Sequence, residues 1–105
     1  MKKRTEAVDI IIPVYNGYDD LQLCMPSVLK HTDLTKHRLI LINDCSPDER
    51  IAPYLNGFSG EHILVLHNEK NLGFSANVNK GMAQSEDRDV LLLNSDTIVT
   101  AGWLD

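Results

Sequence analysis

The chain lacks any apolar run approaching the roughly 20 residues that a membrane-spanning helix requires. Its basic start, Met1-Lys2-Lys3-Arg4, is not followed by the hydrophobic region of a secretory signal. A cytoplasmic location, or the inner face of a membrane, is therefore expected, with the basic start read as a solvated tail. Cysteine is scarce: Cys24 and Cys45 have neither CxxC nor CxxH spacing, which argues against a zinc site or a disulfide framework and leaves buried free thiols as the expectation. The histidines His31, His37, His62 and His67 lack the i, i+4 pairing of a helical metal site. Lys and Arg number 10 against 15 Asp and Glu, for a formal net charge of −5, and form no cluster after Arg4. A nucleic-acid backbone is thus not the expected partner. Also missing is the G-x-G-x-x-G phosphate cradle, since the first apolar run is followed by Asn16-Gly17-Tyr18-Asp19, which argues against a dinucleotide-dependent oxidoreductase. A receiver domain would need an acidic pair where Tyr15-Asn16 stands.

What is present suits one ordinary globular domain spanning residues 1–105, with 43% hydrophobic and 24% charged residues. Four short apolar runs punctuate the chain: Ile10-Ile11-Ile12 with Val14, Leu39-Ile40-Leu41-Ile42, Ile63-Leu64-Val65-Leu66 and Val90-Leu91-Leu92-Leu93. None alternates with polar residues. Continuous runs of branched side chains mark strands covered on both faces, and the segments between them are long enough for helical crossovers. The expected fold class is α/β, a Rossmann-like parallel sheet with helices on both faces, in chain order β-α-β-α-β-α-β. With strand order 3-2-1-4, the run Val90 to Leu93 becomes an uncharged hydrophobic edge, and self-association through it is expected.

The first crossover carries Leu21, Cys24, Met25, Val28 and Leu29 at helical spacing, but Pro26 predicts a kink or a later start. Ser46-Pro47-Asp48-Glu49 has the pattern of a helix start: an N-cap serine, a proline at the first position and a glutamate three residues after the cap. Pro53 and Asn56-Gly57 then predict an early stop. The third crossover begins at Asn71-Leu72-Gly73 and places Phe74, Val78 and Met82 on one expected core face. Gly81 in that helix predicts a close approach to a strand.

In a parallel sheet, strand carboxyl ends share one edge, where ligands bind. Three runs end there in polar clusters: Pro13-Val14-Tyr15-Asn16-Gly17, Asn43-Asp44-Cys45-Ser46 and Asn94-Ser95-Asp96-Thr97. Singly, each has a local explanation as a turn or a helix cap; together they suggest a bound, phosphorylated small molecule. Tyr15 is suited to packing on a base, and Asp44 to accepting hydrogen bonds from a base N–H or ribose hydroxyls. Asp96 calls for a cation, because a carboxylate and a phosphate charge about 4 Å apart repel by roughly 4 kcal/mol at an effective dielectric near 20. Mg²⁺ or Mn²⁺, held by one or two carboxylates and substrate phosphates, reverses that sign.

The ordered series Ile12-Pro13-Val14-Tyr15-Asn16, Asn43-Asp44-Cys45-Ser46, Asn71-Leu72-Gly73-Phe74 with Asn79-Lys80-Gly81, and Leu93-Asn94-Ser95-Asp96 resembles the nucleotide-sugar-binding half of family 2 glycosyltransferases, which have the GT-A fold. The resemblance covers nearly the whole chain and is closest in wording to the branch containing bacterial rhamnosyltransferases. It implies that Pro13, Tyr15, Asn16 and Asp44 surround the nucleoside, and that Asn71, Gly73 and Asn79 shape the nucleotide pocket. Asn94 and Ser95 would then contact the donor, and Asp96, the last position of the family's D-x-D motif, would bind Mg²⁺ or Mn²⁺. Two positions depart from the pattern: Asn94 stands at the first D-x-D position, and Val78 stands where many members carry arginine.

The activity implied is metal-assisted, inverting transfer of a sugar from a UDP, dTDP or GDP donor to a hydroxyl of a glycan or lipid-linked acceptor, in cell-wall or polysaccharide biosynthesis. Only nine residues, Thr97 to Asp105, follow Asp96. The acceptor-binding half and the catalytic base are therefore expected beyond Asp105, and the chain is expected to be a fragment that binds better than it catalyses. The alternative is a non-catalytic nucleotide-binding module.

Overall fold

The computed structural model describes residues 7–58, 60–85 and 87–104. The basic start at Met1 to Arg4 and the final Asp105 lie outside the described residues. Strands β1 (Val8–Val14), β2 (Arg38–Asn43), β3 (Ile63–His67) and β4 (Asp89–Leu92) form one parallel sheet in the order β3-β2-β1-β4. Helices α1 (Tyr18–His31), α2 (Ile51–Asn56) and α3 (Phe74–Met82) connect them in turn. Among the described residues no helix is long and apolar enough to cross a membrane.

Because side chains leave a strand on alternate sides, the unbroken apolar runs supply two cores. Ile10, Ile12 and Val14 of β1, with Leu39 and Leu41 of β2, pack in one cluster with Leu21, Cys24, Met25 and Val28 of α1 and Ile51 and Leu55 of α2. Ile11, Ile40 and Ile42 form a second, smaller cluster on the other face. There α3 lies against the sheet at Gly81. A β carbon at that position would sit 2.4 Å from Ile42 Cδ1 and 2.8 Å from Ile11 Cγ2, so the close approach leaves room only for glycine.

That approach also corrects the expected core face of α3. Phe74 and Met82 are exposed, Val78 is only half-buried, and the buried residues are Asn77 and Gly81. Seating the helix through Gly81 turns inward the residue one turn earlier, Asn77, whose Nδ2 donates to the Ile42 carbonyl at 3.2 Å. The apolar stripe is left beside the contact.

Helix α2 begins at Ile51, not after Ser46, because the Ser46 hydroxyl is engaged across the fold: it accepts the Asn16 N–H at 3.0 Å. Local turn formation falls instead to Asp48, which accepts the Arg50 N–H. The early stop at Asn56, with Gly57 as C-cap, is as expected. Helix α1 starts at Tyr18, earlier than Pro26 suggested. Pro26 and Gln22, whose carbonyl loses a partner, are both exposed, so water can replace the missing bond. Of the cysteines, Cys24 is buried, whereas Cys45 is exposed in a loop with φ 55°.

The expectation of two covered faces fails for β4. It is an edge strand, and Val90 and Leu92 are exposed on the α3 side, while Leu93 points into the larger core. At the amino end of the sheet, opposite the polar strand ends, buried Asp9 receives a bidentate contact from Arg38 at 3.2 and 3.0 Å. That carboxylate closes the base of the fold.

One residue opens the crevice at the other end. The last ladder bond between β1 and β4 runs from the Leu93 N–H to the Ile11 carbonyl. The next on that side would need an N–H at position 13, which proline lacks. Val14, by contrast, still bonds to the β2 side through the Asp44 N–H. Past Leu93 the chain is therefore free to leave the sheet.

Candidate functional site

A cavity of about 580 Å³ occupies the carboxyl ends of β1, β2 and β4. Nine of the ten residues expected at the site line it: Pro13, Tyr15 and Asn16 after β1, Asp44 after β2, Asn71 and Gly73 before α3, and Asn94, Ser95 and Asp96 after β4. Asn79 does not. It lies two positions beyond Asn77, roughly 200° around the helix, and is exposed. Asn77 lines the cavity in its place, and Asp20, Gly17 and Phe74 join it. The sequence did offer signals for these: Asp20 falls in the first turn of α1, directly behind Asn16-Gly17, and Asn77 is one turn after Gly73.

Each rim segment is held by contacts that its neighbours in sequence do not disclose. After β1, Asn16 and Gly17 take consecutive left-handed conformations, φ 54° and 70°, which turn the chain sharply into α1. The Asn16 side chain reaches sideways, its Oδ1 accepting the Asp48 N–H at 3.1 Å, so this loop and the one after β2 are tied together twice. The segment after β4 is laid across α1. Leu93 and Val99 anchor it in the core, the Cys24 thiol lies 4.0 Å from the Asn94 carbonyl, and the Val99 N–H donates to Ser27 Oγ at 3.1 Å. Between those anchors, Asp96 stays exposed. Burial pushes the Cys24 thiol up to about 11, with a hydrogen bond from the Thr97 backbone opposing and the Asp96 charge adding to the rise.

Asp44 is the most constrained group of the site. Only 2% exposed, it accepts the Leu72 N–H (2.8 Å) and Asn68 Nδ2 (2.9 Å) at Oδ1 and the Gly73 N–H (2.9 Å) at Oδ2, while Asn71 Nδ2 donates to its main-chain carbonyl. Gly73, the N-cap of α3, has φ 91° and no side-chain cap of its own. The carboxylate thus serves from another strand as the acceptor for amides at the start of α3, where negative charge is favoured. Burial pushes its acidity the opposite way, but the Leu72 and Gly73 amides, Asn68 and the positive charge of Lys80 together hold the carboxyl below its ordinary range. Oδ2 accepts a single bond within the protein, and a lone pair remains.

The lining contains three carboxylates, Asp20, Asp44 and Asp96, with amide, hydroxyl and aromatic groups and no lysine or arginine. Tyr15 and Phe74 present exposed rings, 52% and 60% accessible. Such a surface can bind donors and a cation directly; an anion needs an intermediary.

Comparison with known proteins places this geometry. The chain is 34% identical over 98 residues to "Uncharacterized glycosyltransferase YibD" of Escherichia coli (strain K12), covering 91% of this chain and 28% of the relative. It is 25% identical over 103 residues to "Glycosyltransferase GlyG" of Streptococcus pneumoniae serotype 4, covering 96% of this chain and 34% of that protein. The chain thus spans about a third or less of the curated relatives it matches. Among solved structures, S. aureus TarS 1-349 superposes with a TM-score of 0.71, and its complex with UDP-GlcNAc with 0.74. Both share 24% identity and cover 86% of this chain and 27% and 26% of theirs, a likeness of fold. The model of the family described as Glycosyl transferase family 2 matches residues 9–105, from the first buried strand onward, and the chain belongs to that family.

Proposed function

We propose that the cavity holds the nucleoside-diphosphate part of a nucleotide sugar, and that the protein supplies the donor-binding part of a glycosyltransferase passing that sugar to an acceptor hydroxyl with inversion. The observation carrying this reading is that segments after three strands and before one helix converge on a single acidic cavity with no basic side chain in its lining. Asp44 offers Oδ2 to an N–H or O–H of the nucleoside, and the Tyr15 and Phe74 rings offer packing surface to a base.

A diphosphate entering beside Asp96 would meet a repulsion of roughly 4 kcal/mol per close charge pair at an effective dielectric near 20. A divalent cation, Mg²⁺ or Mn²⁺, removes that barrier, and the donor set suits one: Asp96 is an exposed, hard carboxylate with Asn94 and Ser95 beside it. No group of three or more His, Cys, Asp or Glu able to hold a metal occurs among the described residues. The fit is therefore to a cation shared with phosphate oxygens. When bound, such a cation offsets the charge of the departing diphosphate.

Transfer breaks the bond from the anomeric carbon to the diphosphate oxygen and forms one to the acceptor oxygen, whose proton passes to a base. Asp44 is committed to amides and Asp96 to the cation, so the base is a carboxylate other than these.

Isothermal titration of the chain with UDP-GlcNAc, with and without Mn²⁺, tests the reading. The probe is chosen because the TarS structure contains that donor. Binding that strengthens with Mn²⁺ in the parent, and an Asp96→Ala variant of unchanged circular dichroism that has lost the Mn²⁺ effect, are expected. Equal affinity with and without Mn²⁺ in the parent overturns the cation role. No binding of UDP, dTDP or GDP sugars under either condition overturns the donor site.

A further inference from the structure

Behind Asp44, on the side away from the cavity, a row of polar side chains remains that donor binding does not itself require. Asn68, just past β3, is buried, and its main-chain N–H pairs with the Asn43 carbonyl. Its side-chain amide makes three contacts. Nδ2 donates to Asp44 Oδ1 at 2.9 Å and to Asn77 Oδ1 at 2.8 Å, and Oδ1 accepts from Lys80 Nζ at 2.6 Å. Neither Asn68 nor Lys80 lines the cavity; both border a separate, shallow depression with His67, Glu69, Lys70 and Leu72.

We propose that Lys80, acting through Asn68, is a positioning residue for Asp44, fixing the direction and strength of the hydrogen bond that aims this carboxylate at the nucleoside. The proposal rests on the reading of the cavity as a nucleotide-sugar site.

The physical basis is the orientation of one amide. An asparagine side chain can turn end for end at little intrinsic cost, and its environment decides which end points where. Here the two ends face opposite charges, an ammonium at the oxygen and a carboxylate at the nitrogen. Turned over, Asn68 would set its NH₂ against the Lys80 ammonium and its oxygen against Asp44, and would also lose the bond to Asn77. The ammonium therefore locks the amide. It also polarises it, since hydrogen bonds in a chain reinforce one another where the surroundings are poor in water.

The chain of contacts closes on the backbone. Asn77 Nδ2 holds the Ile42 carbonyl, and Lys80 sits on the same helix one residue before Gly81, where α3 meets the sheet. With Oδ1 fully engaged by Asn68 and the Leu72 amide, Oδ2 is the oxygen left to face an occupant. Release of Asn68 leaves the carboxylate on the Leu72 and Gly73 amides, with a lone pair of Oδ1 freed to compete with Oδ2 for an occupant.

Other charged groups surround Asp44: Asp20 on α1 and Asp96 after β4 across the cavity, and His67, Glu69 and Lys70 around the β3–α3 connection. The positive charge that acts on its carboxyl is that of Lys80.

The test uses the 105-residue chain, UDP with Mn²⁺ as the probe, and two measurements. Titration calorimetry of Lys80→Met is expected to show about tenfold weaker UDP binding than the parent, the effect of one weakened charge-assisted hydrogen bond. Lys80→Arg, which keeps the charge and the donor, is expected to stay within about threefold of the parent. Independently, carbon-detected NMR of the Asp44 carboxyl against pH is expected to show its midpoint moving up in Lys80→Met and holding in Lys80→Arg. A scaffold role alone would lower the melting temperature and leave that midpoint in place. If Lys80→Met does not fold, Lys80→Gln, a donor without charge, carries the same two expectations.

Parent-like UDP affinity with an unmoved Asp44 midpoint in a folded Lys80→Met or Lys80→Gln variant overturns the proposal. Absence of UDP binding in the parent overturns the nucleotide-sugar reading instead, and the Asp44 midpoint still judges the link to Lys80.

Discussion

Replacing Gly81 by alanine probes the contact on which the α3 side of the molecule is built. Alanine improves helix propensity by about 1 kcal/mol, so an exposed glycine at this position would gain stability on substitution. The new methyl, however, would sit 2.4 Å from Ile42 Cδ1 and 2.8 Å from Ile11 Cγ2, both on side chains with 0% exposure. Ile42 Cδ1 ends a flexible side chain and can swing aside. Ile11 Cγ2 is attached at a branched β carbon and moves only with its strand. Overpacking typically costs about 1–3 kcal/mol, and two contacts this close, one to a methyl fixed on its strand, put the cost at about 2–3 kcal/mol, so Gly81→Ala is expected to be destabilised by about 1–2 kcal/mol after the propensity gain. For a domain of this size that lowers the melting temperature by roughly 5–10 °C. Urea unfolding followed by circular dichroism reads the change directly. Ile42→Val, which deletes the offending Cδ1, should recover about 0.5–1 kcal/mol when added to Gly81→Ala, although alone it destabilises by about 1 kcal/mol. A Gly81→Ala protein as stable as the parent would refute the reasoning, and additive behaviour of the two substitutions would place the strain elsewhere.

The cysteines should separate by reactivity. Brief treatment of the native chain with iodoacetamide near pH 8 is expected to label exposed Cys45 and leave Cys24, whose thiol burial pushes up to about 11, unlabelled until urea is added; peptide mass spectrometry checks this. Asp44 should leave a mark on acid stability. Its carboxyl lies below the ordinary range in the folded state, so its stabilisation is complete above about pH 4 and is lost as pH falls below that value. Asp44→Asn, which turns an NH₂ toward donors, is expected to be about 2 kcal/mol less stable at pH 7. Its acid limb should be shallower than that of the parent, measured by urea unfolding at successive pH values; parallel limbs would contradict the assignment.

Much of the scaffold could be read from the chain because strand identity, order and the strand-end edge depend on patterns that persist along several residues. The runs beginning at Ile10, Leu39, Ile63 and Val90 each became a strand, and the three polar clusters at their ends met in one cavity. Long-range partners were illegible. Ser46 carries the local pattern of a helix cap, but its hydroxyl is taken by the Asn16 amide, far away in sequence. Phe74, Val78 and Met82 have the spacing of a core stripe, but a single glycine and one asparagine decide which side of α3 descends on the sheet. The same rotation explains the exchange of Asn79 for Asn77 at the cavity: a two-residue offset is a turn of about 200° on a helix, and only packing decides which of the two faces inward.

The two faces of the sheet are unequal. Helices α1 and α2 are seated on a broad apolar bed, whereas α3 rests on three fully buried isoleucines, one glycine and a buried asparagine. Local opening follows the least-buried contacts, so this is the seam that parts first. Gly73 and Asn77, at that seam, are also walls of the cavity. Whatever cargo bridges β1 to α3 consequently clamps the seam shut by mass action, and loading and tightening of the fold become one equilibrium.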